Sequence, residues 1–228
     1  MHDHLHTVHL DYLEAGANII TSASYQSPSW FYEILVQYAF CAFYSSHVVT
    51  TGAVVATIEG FQSRGFTEDE SKALLRRSVH EARAVFVEGD RRWQSRPPVV
   101  LVAASVGSYG ACLADGSDGD YGKSITKEAL KNFHRRRLQV LADAGPDLIA
   151  FETIPNKLEA RAYTELLEEN DIRIPAWFSF TSKDGCAAVA ESCERVAAVG
   201  VNCTAPRLIH RLILSIKKFF YLFTSFLY

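Results

Sequence analysis

The chain lacks a surplus of positive charge. Its 228 residues carry 23 Lys and Arg against 26 Asp and Glu, which gives a formal net charge of −3. No stretch alternates basic residues with aromatic ones in the pattern that follows a phosphate backbone. Both absences argue against nucleic acid as a partner.

Cysteine is sparse and irregularly placed. An odd number of cysteines is spread widely along the chain, namely Cys41, Cys112, Cys186, Cys193 and Cys203. The chain also opens without the cationic and then apolar pattern of a secretory signal. A disulfide framework is therefore not expected, and we predict a cytoplasmic protein whose thiols are free or metal-bound.

Several well-known catalytic motifs are absent as well. There is no Gly-x-Gly-x-x-Gly dinucleotide loop, no Gly-x-x-x-x-Gly-Lys-Ser/Thr phosphate loop and no Gly-x-Ser-x-Gly nucleophile turn. His80-Glu81 lacks the second histidine of a metalloprotease helix. The sequence therefore gives no support to the chemistry that these motifs carry.

What the chain does have is a globular composition, with 48% hydrophobic and 21% charged residues. We predict one domain over residues 1–228. Helical and strand patterns alternate at short intervals, which is typical of parallel β/α units. The predicted helices are 5–15, 67–87, 124–144, 156–170 and 206–218, and the predicted strands are 18–22, 99–104, 148–151, 176–180 and 198–202.

Small or polar residues follow each predicted strand. The strands are nearly continuous apolar runs, as expected where helices cover both faces of a sheet. Glu152 ends the third run and Cys203 follows the fifth. In a β/α-barrel the carboxyl ends of the strands face one rim, so we predict the reactive groups there.

Two stretches interrupt this alternation, residues 27–55 and 219–228. Glu33 is the only formal charge in the first, and the second is mostly apolar. About 20 apolar residues can span a bilayer, but polar residues interrupt 27–55 and no basic cluster flanks it. We predict a hydrophobic insert and an atypical tail, with membrane attachment as the weaker alternative.

Cys203 and Glu152 are the residues best suited to chemistry. A thiol between an apolar strand and a helix can ligate zinc as a thiolate, although a single cysteine is also a common core residue. A carboxylate at a buried strand end requires a cation or hydrogen-bond donors. Glu152 could therefore bind a substrate ammonium group, or it could form an internal salt bridge.

Two further loops are expected on the same rim. One contains Tyr25 and the small residues before it, and the other is residues 105–110. The glycines of the second loop permit close approach of a ligand to the backbone, but they also suit a tight turn. Both interpretations stay open at this stage.

Five segments, in order, resemble the homocysteine S-methyltransferase family. They are His9–Gln26, Gly60–Phe66, Ala104–Ala111, Phe151–Pro155 and Gly200–Thr204. The resemblance covers about residues 9–26 and 56–218. It implies a zinc-dependent (β/α)8 TIM-type barrel that forms methionine from homocysteine, with S-methylmethionine or S-adenosylmethionine as the sulfonium methyl donor.

The resemblance also implies roles for individual residues. Cys203 would be a zinc ligand, Glu152 would hold the amino group of homocysteine, and Tyr25 would lie near the substrate. The partners are then homocysteine and a sulfonium methyl donor.

The chain departs from the family in ways that affect these expectations. The family's late Gly-Gly-Cys-Cys segment does not occur, so Cys203 is one zinc ligand of about three. About strands 2–6 of the barrel are recognised, with the insert 27–55 and the tail 219–228 unlike the family. We therefore expect an incomplete barrel and zinc site, with sheet edges through which the chain could form oligomers or aggregates. An inactive fragment that associates with a full-length barrel is the alternative.

Overall fold

The computed structural model describes residues 9–14, 17, 19–22, 48–49, 56–92, 101–113, 121–122, 124–181 and 193–224. The strands are β1 (Ile19–Thr21), β2 (Val48–Val49), β3 (Leu101–Gly107), β4 (Leu148–Ile154), β5 (Ala176–Phe180) and β6 (Val196–Val201). Residues 9–14 are helical and are called α1. The other helices are α2 (Ile58–Gln62), α3 (Glu68–Arg92), α4 (Tyr109–Leu113), α5 (Lys127–Asp143), α6 (Lys157–Glu169) and α7 (Pro206–Thr224).

The strands form one sheet in the order β2-β1-β3-β4-β5-β6. In the parallel ladders of β1, Ile19 lies opposite Val48 of β2 and Leu101 of β3. Strand β5 pairs in parallel with β6, with a register irregularity after Ala176. Helices connect most successive strands, so the predicted α/β class is confirmed.

Each predicted helix and strand has a counterpart in the structure, and several differ from it in their bounds. Residues 176–180 are a strand as predicted, and helix 156–170 is present with α6 at Lys157–Glu169. Helix α3 continues to Arg92, beyond the predicted end at 87, and α7 includes residues 219–224 of the predicted atypical tail. The sequence analysis missed β2, α2 and α4, because elements of two to five residues are too short to show a period.

Helix starts follow the capping residues. Thr67 and Glu70 form a capping box at the start of α3, since the Thr67 amide donates to Glu70 Oε2 (2.8 Å) and the Glu70 amide donates to Thr67 Oγ1 (3.2 Å). Thr126 accepts from the Ala129 amide at the start of α5. Asn156 caps α6, a helix start that the sequence analysis did not assign to a cap.

The chain divides into two compact units. One consists of Met1–Val106 and Arg136–Ile149, and the other of Gly107–Arg135 and Ala150–Tyr228. The core of the first includes Ile20, Ile58, Leu75 and Val79, all fully buried or nearly so. The core of the second centres on three rings: Phe151 stacks on Tyr163 with centroids 4.2 Å apart and lies 4.9 Å from Phe178. One domain over residues 1–228 stays a prediction.

None of the helices in the described part of the chain is both long enough and apolar enough to cross a bilayer. The predicted insert 27–55 lies outside the described residues except for β2, and so do residues 225–228.

Asp147 joins the starts of two strands in the first unit. Its Oδ2 accepts from the Val102 amide (2.8 Å) and from Arg83 Nη1 (2.7 Å), and its own amide donates to the Val102 carbonyl. Arg83 also donates to the Gly145 carbonyl (3.1 Å). This cluster lies at the amino ends of β3 and β4, where barrel residues serve stability.

We expect Asp147→Ala to lower the free energy of unfolding by about 1.5–3 kcal/mol, because it leaves the Val102 amide and Arg83 without their shared charged acceptor. Asp143→Ala is the matched control. Asp143 is exposed and accepts from Gln139 on its own helix, so its loss should stay within about 0.5 kcal/mol. Urea unfolding of both variants measures the difference, and equal losses would contradict this role of Asp147.

Candidate functional site

Strand alternation determines the face of β4 on which Glu152 lies. The ring of Phe151 packs against Tyr163 of α6. Because successive side chains of a strand point to opposite faces, Glu152 points away from α6. It is only 6% exposed. The structure thus places the predicted carboxylate buried near the carboxyl end of β4, on the sheet face opposite this helix.

Asn202 connects the carboxyl ends of three strands. Its Oδ1 accepts from Ser179 Oγ of β5 (2.8 Å), and its Nδ2 donates to Thr153 Oγ1 of β4 (2.9 Å). Its backbone amide donates to the carbonyl of Phe180 (3.0 Å). The residue that directly follows β6 therefore bonds to both β4 and β5.

Cys203 lies beside this amide. Its side chain is exposed, and its Sγ is 3.7 Å from Asn202 Nδ2. Its carbonyl accepts from Thr181 Oγ1 (3.0 Å). Cys203 has a φ of 47° and Thr153 a φ of 60°, both in the left-handed region that residues other than glycine rarely adopt. Such outliers concentrate at binding and active sites.

The structure brings the neighbourhoods of two predicted site residues together. Thr153, next to Glu152, and Cys203 both contact Asn202. Sequence reasoning had placed Glu152-Thr153 and Asn202-Cys203 on one rim but had not given Asn202 or Ser179 a role. The sequence signal for such roles was the occurrence of polar residues after apolar runs. Tyr25 lies outside the described residues, so its place near the substrate stays a prediction.

Metal binding depends on how many donor side chains lie close together. Within the part of the chain that the structure describes, no group of three or more His, Cys, Asp or Glu residues could hold a metal ion. The other described cysteine, Cys193, is buried, and burial raises the pKa of its thiol. The described residues therefore do not by themselves fit a zinc ion.

A second buried carboxylate, Glu159, lies in the first turn of α6. Its Oε1 accepts from the Tyr109 amide (2.5 Å) and from the Tyr163 hydroxyl (3.1 Å), and lies 2.8 Å from His134 Nε2. Its Oε2 accepts from the Tyr121 hydroxyl (2.5 Å). Glu159 and His134 are both fully buried. Sequence reasoning missed this network, because a glutamate early in a helix usually faces solvent.

This network corrects the predicted loop over residues 105–110. Residues up to Gly107 belong to β3, and α4 begins at Tyr109. The Gly110 amide donates to the Tyr121 hydroxyl (3.0 Å), and a Cβ at Gly110 would lie 3.1 Å from Cε1 and Oη of that ring. Glycine is therefore required at position 110 because the Tyr121 ring lies close to its backbone. Gly110 itself lies in α4, so it forms no tight turn, and the group that approaches its backbone is a side chain of the same chain.

Glu159 remains ionised in this buried setting. Burial alone would raise the pKa of its carboxyl group, but the hydrogen bond and charge of His134, together with the Tyr121 and Tyr109 donors, outweigh burial. The pKa of Glu159 is therefore lowered from its ordinary value.

A lowered pKa in the folded state gives stability that is fully present above the unfolded pKa of about 4.5 and is lost as the pH falls through the folded value. We expect Glu159→Gln to lose about 3 kcal/mol at pH 7 and to show a weaker further decline in acid than the unmodified chain. Glu168→Gln, on the exposed side of the same helix, is the control and should match the unmodified chain at each pH. Urea midpoints across pH 3–7 check this; parallel curves for all three proteins would refute it.

Comparison with known proteins agrees with this architecture. The sequence profile described as Homocysteine S-methyltransferase matches residues 1–225. Homocysteine S-methyltransferase 4 of Zea mays is 66% identical to the chain, over 92% of this chain and 58% of that protein. The Selenocysteine Se-methyltransferase of Brassica oleracea var. italica is 50% identical, over 94% and 59%. The chain thus spans about three fifths of the length of these curated relatives.

A solved structure shows the same fold. The homocysteine methyltransferase MmuM from Escherichia coli, in its metallated form, superposes with a TM-score of 0.72 at 36% identity, covering 92% of this chain and 66% of MmuM. This likeness confirms the predicted TIM-type α/β fold, of which the chain covers only part. The profile match and these identities show that the chain belongs to the homocysteine S-methyltransferase family.

Proposed function

We propose that the chain carries the activity of its family, transfer of a methyl group from S-methylmethionine or S-adenosylmethionine to homocysteine to form methionine. The observation that carries the proposal is the arrangement of Glu152 and Cys203. Glu152 is buried near the carboxyl end of β4, and Cys203 is exposed just after β6. Asn202 contacts Cys203 and also Thr153, the residue next to Glu152. This is the rim on which barrel enzymes hold their substrates. The MmuM likeness supports the same chemistry.

Glu152 is the proposed partner of the homocysteine ammonium group. Its side chain is buried, and an ion pair in such a place is less weakened by water than one at the surface. A charge-assisted hydrogen bond from the ammonium group would fix the amino acid end of the substrate. The substrate sulfur could then be directed toward the donor. Tyr25 is proposed to lie near the same substrate.

The transfer itself needs mainly orientation. The homocysteine sulfur, as a thiolate, attacks the methyl carbon of the sulfonium donor; the new sulfur–carbon bond forms as the old one breaks, and the electron pair leaves with the donor as a neutral thioether. Holding the two sulfurs in line with the methyl group accounts for much of the acceleration that such a reaction can gain. The described residues contribute to the reaction by binding homocysteine and positioning its sulfur.

Cys203 is proposed as one zinc ligand of about three, by resemblance to the family. Its sulfur is exposed at the strand end, which supports the proposal, and no group of three or more His, Cys, Asp or Glu residues surrounds it within the described part of the chain. We also propose that the protein is cytoplasmic.

Incubation of the purified chain with zinc, homocysteine and S-methylmethionine should yield methionine, measured by mass spectrometry. We expect Cys203→Ser to lower the rate at least about 100-fold, and Glu152→Gln to raise the KM for homocysteine about tenfold because one charged contact is lost. Glu168→Gln should leave both values unchanged. Because relatives include a selenocysteine methyltransferase, selenocysteine serves as a second acceptor in the same assay. No product from either acceptor would refute the proposed activity of this chain.

A second candidate function is a non-catalytic chain that associates with a complete barrel subunit or with itself. The observation that favours it is apolar surface on β6 and α7: Ala197 and Ala198 are exposed, and Ile213 and Leu214 are 43% and 47% exposed. Sedimentation as an oligomer with far less than one zinc per chain would favour this candidate. A monomer with about one zinc per chain would favour the enzyme.

A further inference from the structure

We propose that Asn202 is a positioning residue of this site. Its side-chain amide ties the end of β6 to β4 and β5 and so holds Cys203 in its left-handed conformation, with the sulfur exposed at the strand end. The inference rests on the proposed function only in taking Cys203 as the functional sulfur.

Both polar atoms of the Asn202 side-chain amide make contacts, the oxygen as an acceptor and the nitrogen as a donor. The Ser179 hydroxyl donates to Oδ1 at 2.8 Å. On the other side, Nδ2 donates to Thr153 Oγ1 at 2.9 Å and lies 3.7 Å from Cys203 Sγ. An aspartate could accept from Ser179, but it has no N–H for the sulfur. Residue 202 therefore needs a short side chain that carries both a hydrogen-bond acceptor and a hydrogen-bond donor.

The backbone around Asn202 is held in the same way. The amide of Asn202 donates to the Phe180 carbonyl (3.0 Å), and the Asn202 carbonyl accepts from Thr204 Oγ1 (2.9 Å). The carbonyl of Cys203 accepts from Thr181 Oγ1 (3.0 Å). The peptide units on both sides of the Cys203 Cα are thus fixed to neighbouring residues.

These bonds account for two unusual backbone conformations. Cys203 (φ 47°) and the β-branched Thr153 (φ 60°) occupy a region that is disfavoured for them. Such conformations persist where the surroundings determine them from several directions. Asn202 Nδ2 contacts the side chains of both residues, so one amide supports both. At Cys203 the left-handed turn takes the chain out of the line of β6 and leaves the sulfur exposed.

The test measures the position of Cys203 without relying on catalysis. Iodoacetamide alkylation at one fixed pH is followed at the Cys203 peptide by mass spectrometry, as a ratio to the same peptide in the denatured chain. We expect Asn202→Ala and Asn202→Asp to slow the normalised reaction about tenfold, the effect of losing one hydrogen bond of ordinary strength. Ser179→Ala, which removes one of the two side-chain bonds that orient the amide, should slow it less.

Asn156→Ala is the matched control. Asn156 also makes a structural hydrogen bond in the same unit, where its Oδ1 accepts from the Glu159 amide as the cap of α6. Its loss should destabilise the chain comparably but leave the Cys203 rate within about twofold of the unmodified value. Equal slowing by Asn156→Ala and Asn202→Ala, or no slowing by Asn202→Ala, would overturn the inference.

A second measurement addresses Thr153. Glycine adopts a φ of 60° freely and has no Oγ1 to accept from Asn202 Nδ2, so Thr153→Gly removes both the need for support and the hydrogen bond at that residue. In urea unfolding, Asn202→Ala should lower the folding equilibrium constant about tenfold in the unmodified chain and about threefold or less in the Thr153→Gly background. The same loss in both backgrounds would show that the amide does not hold Thr153. If Asn202→Ala does not fold, Ser179→Ala is taken through the same cycle, with the same criterion.

These results separate the inference from the proposed function. Methionine formation together with an unchanged Cys203 rate in Asn202→Ala would leave the function standing and remove the inference. Slowed alkylation without methionine formation would do the reverse.

Discussion

Polar groups buried at the ends of parallel strands must find partners inside the protein, and this requirement shapes the second unit. A carboxylate or amide without hydrogen bonds in such a place would cost more than most local interactions return. Glu159 meets the requirement with His134, two tyrosine hydroxyls and a backbone amide. The half-buried Asn202 likewise bonds to a serine and a threonine from two neighbouring strands. Each network joins elements that are far apart in sequence.

The two ends of the strands serve different purposes. At the amino ends of β3 and β4, Asp147 and Arg83 form bonds that secure the start of the sheet. At the carboxyl ends, Thr153 and Cys203 adopt disfavoured conformations, and the Cys203 side chain is exposed. The bonds at the amino ends thus secure the sheet, while the exposed thiol and two of the three left-handed non-glycine residues among the described residues lie at the carboxyl ends, the rim that carries function in barrels of this kind.

Family, fold class and the principal site residues could be predicted because each depends on local or ordered patterns. Residues 176–180 are a five-residue run, apolar except for Ser179, and form β5 as predicted. The Thr67 capping box needs only residues three apart, and it is present. Glu152 and Cys203 end apolar runs, so their place at the carboxyl ends of strands followed from the same reasoning. Short elements such as β2 and α4 gave too few residues to show a period.

The sequence by itself determined the longer helices and strands, the family and which residues could react at the strand ends. Only the tertiary structure decided that Asn202 bonds to Ser179 and Thr153, which are 23 and 49 positions away. It also decided that the Tyr121 ring lies so close to residue 110 that a side chain there would be crowded, and that Glu159 is buried in contact with His134. Hydrogen bonds between distant residues leave no periodic trace in a sequence, since their geometry exists only once the strands have paired and the helices have packed.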